Sequence, residues 1–330
     1  MQSTENPPLC SPASLAAMRT ILVTGAATRT GGWLIQRLER QRNTAVVAVD
    51  ELDPPVPFNS RFERLSLDRL DLARLVLDTE PDVVIHIQTV DRSSILGASR
   101  AHDETAVGAQ ALFGAIGRCE SVRHVVVRSD GAVYGSSPRM PSVVGVDTKP
   151  VEGTGRYQRD LIQMEGFVRD VAEAHDHVDY TILRFAPVFG PAIRNPISRY
   201  LTLPGVPTRL GFDPRLQFVA EQDAVAAYAH AVDHPVPGTF NVAAPGQLYL
   251  SRVLRLGLRV GQPLPKRAYR AALRGLARTG LELPEHQVAM LKHGRVMDTS
   301  ATATVLGFTP QLTARQVTLA AYGRIPKAAA

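Results

Sequence analysis

The pattern of apolar and polar positions changes character part-way along the chain. In the first half, short apolar runs alternate with segments whose apolar residues recur at three- and four-residue spacing. Residues 21–25 (ILVTG), 45–50 (AVVAVD), 82–87 (DVVIHI), 124–129 (HVVVRS) and 179–185 (DYTILRF) predict buried strands, with a weaker one over 61–67. Residues 31–40, 70–77, 101–117 and 157–173 predict helices. Such alternation predicts a doubly wound parallel sheet with helices on both faces. After Gly190 and Pro191 the alternation stops. Proline-containing loops then mix with helices expected near 222–233, 248–258, 264–279 and 312–322, which predicts a small C-terminal lobe.

The fold class is therefore α/β, Rossmann-type. Residues 1–17 are expected to be a disordered tail, 18–190 a cofactor-binding domain, 191–322 a smaller substrate lobe into which sheet segments interleave, and 323–330 a tail. The tail before Met18 holds Pro7, Pro8 and Pro12 and has no lysine, arginine or long apolar run, so it does not read as a signal peptide.

Composition narrows this picture only a little. The 330 residues are 45% hydrophobic and 21% charged, which excludes a disordered or collagen-like chain. Two cysteines, Cys10 and Cys119, cannot build a disulfide scaffold, and a reducing, cytoplasmic setting is expected. The net charge of +6 permits an anionic partner without requiring one. No Cys-x-x-Cys, Gly-x-Ser-x-Gly or phosphate-loop lysine motif occurs, so zinc, hydrolase and phosphate-loop readings have no support.

Candidate chemistry begins where the first strand meets the first helix. Thr24-Gly25-Ala26-Ala27-Thr28-Arg29-Thr30-Gly31-Gly32 is a turn that aims backbone N–H groups and a helix N-terminus at a pyrophosphate. Asp50 closes the second strand, where a carboxylate accepts ribose hydroxyls and repels a 2′-phosphate. Gly25, Thr28, Arg29, Thr30, Gly31 and Asp50 are thus candidate contacts for NAD, in preference to NADP.

From this turn onward the chain resembles the NAD-dependent epimerase/dehydratase family of extended short-chain dehydrogenase/reductases, over roughly residues 19–320. Gly25 and Gly31 match two glycines of the family's TGxxGxxG, with Thr28 at the middle one. His86-Ile87-Gln88-Thr89, Ser129-Asp130-Gly131-Ala132-Val133-Tyr134-Gly135 and the 183–191 run LRFAPVFGP stand where the family has its later motifs, and 238–242 and 306–310 resemble marks of its substrate lobe. The resemblance implies NAD as cofactor, with Asp68 beside the adenine and Gln88 near the cofactor. It also implies a nucleotide-sugar or related polyol substrate, hydride transfer, and a homodimer formed through the helices at 101–117 and 157–173.

The same resemblance assigns the chemistry to a Tyr-x-x-x-Lys pair on one helix and a Ser/Thr after the fifth strand. Tyr157 fills the first position, but Leu161 stands at the lysine and Asp130, next to Ser129, at the Ser/Thr. Tyr157, Ser129 and Asp130 are the candidate catalytic residues. The missing lysine matters, because a tyrosine of ordinary pKa is only ~0.1% phenolate at pH 7, roughly 4 kcal/mol away from acting as base. Leu161, Met164, Val168 and Val171 also form an apolar stripe at helical spacing, which assigns Leu161 to packing. On the substrate side, Pro187 replaces an asparagine of the motif, and Leu216 stands at the arginine that would face a diphosphate, with Arg215 one residue away.

Three functional readings therefore stand: an epimerase/dehydratase-like oxidoreductase, a catalytically inactive NAD-binding regulatory or scaffold protein, and a dehydrogenase of an apolar alcohol. Arg267, Arg270, Arg274 and Arg278 add a basic stripe on a predicted helix, read either as a solvated face or as a weak membrane-surface contact. No nucleic-acid partner is expected.

Overall fold

A computed structural model describes residues 18–65, 71–88, 108–151, 153 and 155–324. Seven parallel strands form the central sheet: β1 (Arg19–Thr24), β2 (Thr44–Asp50), β3 (Arg61–Arg64), β4 (Val83–His86), β5 (His124–Asp130), β6 (Asp179–Phe185) and β9 (Gly238–Val242). Their spatial order is β3-β2-β1-β4-β5-β6-β9. The direction of winding reverses between β1 and β4, and an open parallel sheet leaves its ligand crevice outside the strands' carboxyl ends at that switch point.

The strands read as continuous apolar runs because both faces are covered. On one face Ile21, Val23, Ile85 and Val126 pack with Leu34, Ile35 and Leu38 of α1 (Arg29–Leu38) and with Tyr228 and Val232 of α6 (Glu221–Asp233). On the other, Leu22, Val84, Val125 and Val127 pack with α2 (Asp71–Thr79), α3 (Gly108–Ile116) and α4 (Arg156–Ala174). Asp68, the 1–17 tail and residues 101–107 of the expected helix lie outside the described residues.

The second half divides its residues between the two layers. Residues 238–242, which the sequence associates with the substrate lobe, instead form the seventh strand beside β6, from the pairing of Thr181 with Gly238 to that of Phe185 with Val242. The lobe itself holds α5 (Pro196–Leu201), β7 (Gly205–Arg209), β8 (Arg215–Leu216), β10 (Leu248–Tyr249), α7 (Leu250–Leu256), β11 (Val260–Leu264), α8 (Lys266–Arg278) and α9 (Glu285–His293), then α10 (Ser300–Thr304) and α11 (Ala314–Ala321). A separate core of Phe189, Tyr200, Leu216, Phe218, Leu254 and Met290 supports it. The lobe is stitched to the sheet by the 295–298 segment. There the Val144 N–H donates to the Val296 carbonyl at 2.8 Å and the Asp298 N–H to the Val144 carbonyl at 2.8 Å.

On α4, Leu161, Met164 and Val168 are covered by the chain's own sheet and α3. The stripe is thus buried in the chain's own core, leaving Phe167 and Val171 half-buried on its flank. No helix among the described residues is long and apolar enough to cross a membrane.

Candidate functional site

The cofactor turn is built so that two positions must lack a side chain. Gly25 has φ +85°, and a Cβ there would sit 3.0 Å from the Gln88 backbone nitrogen, so β1 and the end of β4 meet with no room between them. A Cβ on Gly31 would stand 2.3 Å from the Gly25 carbonyl oxygen. Thr28, at the family's middle glycine, is the N-cap of α1. Its hydroxyl donates to the Gly25 carbonyl at 2.9 Å and accepts from the Gly31 N–H at 2.9 Å. The threonine therefore fastens the turn and satisfies one orphan donor of the helix. Arg29 is exposed and Thr30 half-buried at the start of α1.

Asp50 is buried at the end of β2. Its Oδ2 accepts from the Ala27 N–H at 2.8 Å and its Oδ1 from the Leu52 N–H at 3.1 Å. The acid thus ties the glycine turn to the end of β2. Gln88 lies at the end of β4, and its buried Oε1 meets no partner among the described residues. A glycine-lined turn and an orphaned amide oxygen, with a buried carboxylate at the end of β2, together fit a dinucleotide.

The candidate catalytic residues separate. Ser129 faces away from the crevice, and its hydroxyl donates to Glu165 Oε1 at 2.6 Å in a fully buried network. There Arg184 binds the same carboxylate through Nε at 2.9 Å and Nη2 at 2.6 Å. Arg184 Nη1 donates to the Tyr134 hydroxyl, which donates to Asn241 Oδ1. Ser129 is thus spent on the framework, the outcome of alternating side-chain direction along β5. Asp130 points the other way, caps the 3₁₀ turn Gly131–Tyr134 by accepting from the Ala132 N–H at 2.7 Å, and faces Arg295 at 3.8 Å.

Tyr157 is half-buried near the start of α4, with its ring 4.8 Å from the ring of His286, a residue of α9 in the other lobe. His286 is 4% exposed, and burial pushes its imidazole down to about 4, with Asp130 opposing and Arg295 reinforcing. The imidazole is therefore neutral at pH 7. Leu161 is completely buried among Phe113, Met164 and Ile182 on the sheet side of α4. Leu161→Lys is expected to lower stability by about 3 kcal/mol, because an ammonium would be desolvated there. Leu161→Met should cost less than about 1.5 kcal/mol. Urea denaturation of both variants checks this. A lysine variant as stable as the parent would show that position 161 can turn toward the crevice.

Sequence reasoning missed His286 and Arg295, since neither belongs to a motif and each meets Tyr157 or Asp130 only after the lobes pack. It also undervalued Arg215. Leu216 lies in the lobe core, whereas the Arg215 Nη2 donates to the Ser142 carbonyl at 3.1 Å and joins the wall of a cleft of about 600 Å³. Arg209, Lys292, His293 and Arg295 line the same cleft, with Asp213 as its acid. Burial together with Arg270, Arg209 and Lys266 holds the Lys292 ammonium below its ordinary value. The cleft is thus predominantly cationic. The arginines of α8, at 267, 270, 274 and 278, are all exposed, with Arg267, Arg270 and Arg274 sharing a second hollow with Lys292, while Tyr269 is buried.

The profile of the NAD dependent epimerase/dehydratase family matches residues 21–243. The chain belongs to this family. An uncharacterized protein of Mycobacterium tuberculosis is 37% identical over 305 residues, covering 89% of this chain and 81% of that protein. Among solved structures, MoeE5 in complex with UDP-glucuronic acid and NAD superposes with a TM-score of 0.71 at 22% identity, covering 92% of this chain and 98% of that one. UDP-glucuronic acid 4-epimerase from Bacillus cereus in complex with NAD gives 0.71 at 19%, with the same coverage. UDP-glucose 4-epimerase from Thermotoga maritima gives 0.70 at 19%, again over 92% and 98%. At these identities the structures share the fold.

Proposed function

We propose that this protein binds NAD in the glycine turn and a nucleotide-sugar-like ligand in the adjoining cationic cleft, as an epimerase/dehydratase-like oxidoreductase. One observation carries the reading: the turn, Tyr157 and the cleft all open at the carboxyl edge of a single parallel sheet. Gly25 and Gly31 would let backbone approach the pyrophosphate, Asp50 would take the adenosine ribose, and Gln88 would face the cofactor from β4. NAD, when bound, supplies hydride-transfer chemistry. Tyr157 would hold or give a proton at a sugar hydroxyl, with Asp130, whose field reaches His286 and Arg295, as the nearby carboxylate. Ser129 has no part in that step, since Glu165 holds its hydroxyl.

A second reading, a cofactor-binding protein without turnover, is favoured by Leu161, whose burial removes the lysine that would activate Tyr157 and bind the nicotinamide ribose. One experiment addresses both. Trp33, the only tryptophan, lies on α1 directly after the glycine turn, so its fluorescence reports on that helix. NADH titration should quench it saturably, with NADPH at least tenfold weaker because of Asp50. Gly31→Ala should weaken NADH by at least about 100-fold, since the new methyl and the Gly25 carbonyl cannot share that space. Absence of any quenching would remove both readings. Quenching with neither epimerisation, dehydration nor oxidation of any nucleotide sugar would leave the second.

A further inference from the structure

Arg295 is the least explained charged group in the protein. Its side chain is 4% exposed, yet Nη1 meets no hydrogen-bond partner among the described residues. Nη2 reaches only long contacts, 3.8 Å to Asp130 Oδ1 and 3.7 Å to Met290 Sδ. A guanidinium carries five donors in a rigid fork, and a buried one normally meets a carboxylate or phosphate squarely. Here the one carboxylate nearby already takes the Ala132 N–H and stands outside hydrogen-bond range.

The position of Arg295 indicates what it is for. The 295–298 segment crosses the 3₁₀ turn, where a Cβ on Gly131 would stand 2.6 Å from Met297 Sδ and 3.4 Å from Arg295 Nε. A side chain at 131 would collide with Met297, so glycine lets the 295–298 segment lie against the turn. Arg295 also feels the fields of Asp130, Tyr157 and Tyr134, and it forms part of the cleft wall. The cleft therefore has two cationic stations. Arg209 and Lys292, backed by Lys266 and Arg270, make an outer one suited to a diphosphate. Arg295 makes an inner one, at the end where Tyr157 and Asp130 lie.

We propose that Arg295 is a specificity-determining residue that binds a carboxylate on the sugar, so that the ligand is an acidic sugar of the uronate class. The inference rests on the sugar-binding reading above and deepens it. Position decides between carboxylate and phosphate: a diphosphate has Arg209 and Lys292, whereas Arg295 stands 3.8 Å from Asp130 at the end where the sugar would lie. A planar two-oxygen anion matches the guanidinium fork, whose Nη1 meets no hydrogen-bond partner among the described residues.

Isothermal titration of the NAD-loaded full chain with UDP-glucuronic acid, UDP-glucose, free glucuronate and glucose tests this. The acid of each pair should bind at least tenfold more tightly than its neutral partner. Arg295→Gln should abolish the preference by weakening the acid at least tenfold more than UDP-glucose, and Arg295→Lys should recover part of it. UDP-glucose bound as tightly as the acid would overturn the inference and leave the proposed function standing. A preference for free glucuronate over glucose, with no binding of either nucleotide sugar, would keep the inference and remove the nucleotide part of that function. No binding of either acid, or an acid preference that survives in Arg295→Gln, would overturn it. Should Arg295→Gln fail to fold, the wild-type comparison still decides.

Discussion

Acidification from pH 6.5 to pH 4 is expected to unfold the protein without any change in its covalent structure or ligands. Burial lowers His86, His124 and His286 from 6.5 to about 4 each, with Arg19 adding to the effect at His124 and Arg295 at His286. His86 is fully enclosed between β4 and Phe113, with Nδ1 sharing a 2.8 Å hydrogen bond with the Thr24 hydroxyl and Nε2 unpartnered among the described residues. His124 shares one of 2.9 Å with Thr181. Protonating any of them in place puts a charge in the core.

The sign follows from proton counting. The folded chain keeps these rings neutral between 6.5 and 4, whereas the unfolded chain takes up protons below 6.5, so stability rises with pH across that window. The contribution is complete above 6.5 and is lost as pH falls, on the order of 3 kcal/mol for each ring by pH 4. Three such losses compare with a whole folding free energy of about 5–15 kcal/mol. Urea denaturation at half-unit steps from pH 7 to pH 4 measures the slope, and His86→Asn should reduce it by about a third. A midpoint that stays level from pH 6.5 to pH 4.5 would show that these imidazoles are not buried as described.

The second large effect concerns the Glu165–Arg184 pair beneath the candidate site. Glu165 is 1% exposed and receives Ser129 and two nitrogens of Arg184. Arg184 also donates to the Tyr134 hydroxyl and the Val146 carbonyl, both at 2.9 Å. Every charge in the network is satisfied, so its members hold α4, β6 and the 3₁₀ turn in register. Glu165→Ala should destabilise by about 3–5 kcal/mol, because it strands a buried guanidinium. Glu165→Leu combined with Arg184→Leu should be less harmful than either single change, since no uncompensated charge is left. Thermal unfolding of the four proteins forms the cycle. Additive losses would mean that the two side chains do not act as a pair. The Tyr157–His286 contact sits about two turns away on α4, so a partial loss of order there should appear first as weaker ligand binding.

Much of the fold was legible because its signals are local. The apolar run 21–24 and the glycine after it define a strand and its exit, and each buried strand repeats that logic. The turn was legible too, since Gly25 and Gly31 act on backbone within a few residues. Thr28, at the family's middle glycine, caps the helix through its hydroxyl, an outcome set by the φ and ψ of one residue. The candidate catalytic set was less legible. Strand alternation decided that Ser129 faces Glu165 and Asp130 the crevice, but the register of β5 against β4 and β6 had to be seen to know which face was which.

Sequence alone determined the sheet, its winding, the cofactor turn and the loss of lysine at position 161. Periodicity and turn chemistry act over a few residues and leave their mark in order. Tertiary structure alone decided that residues 238–242 complete the sheet, that Leu161 lies in the core, and that His286 and Arg295 come to Tyr157 and Asp130. Those contacts join residues 129–165 positions apart, and their free energy comes from burying side chains that no local pattern ties together.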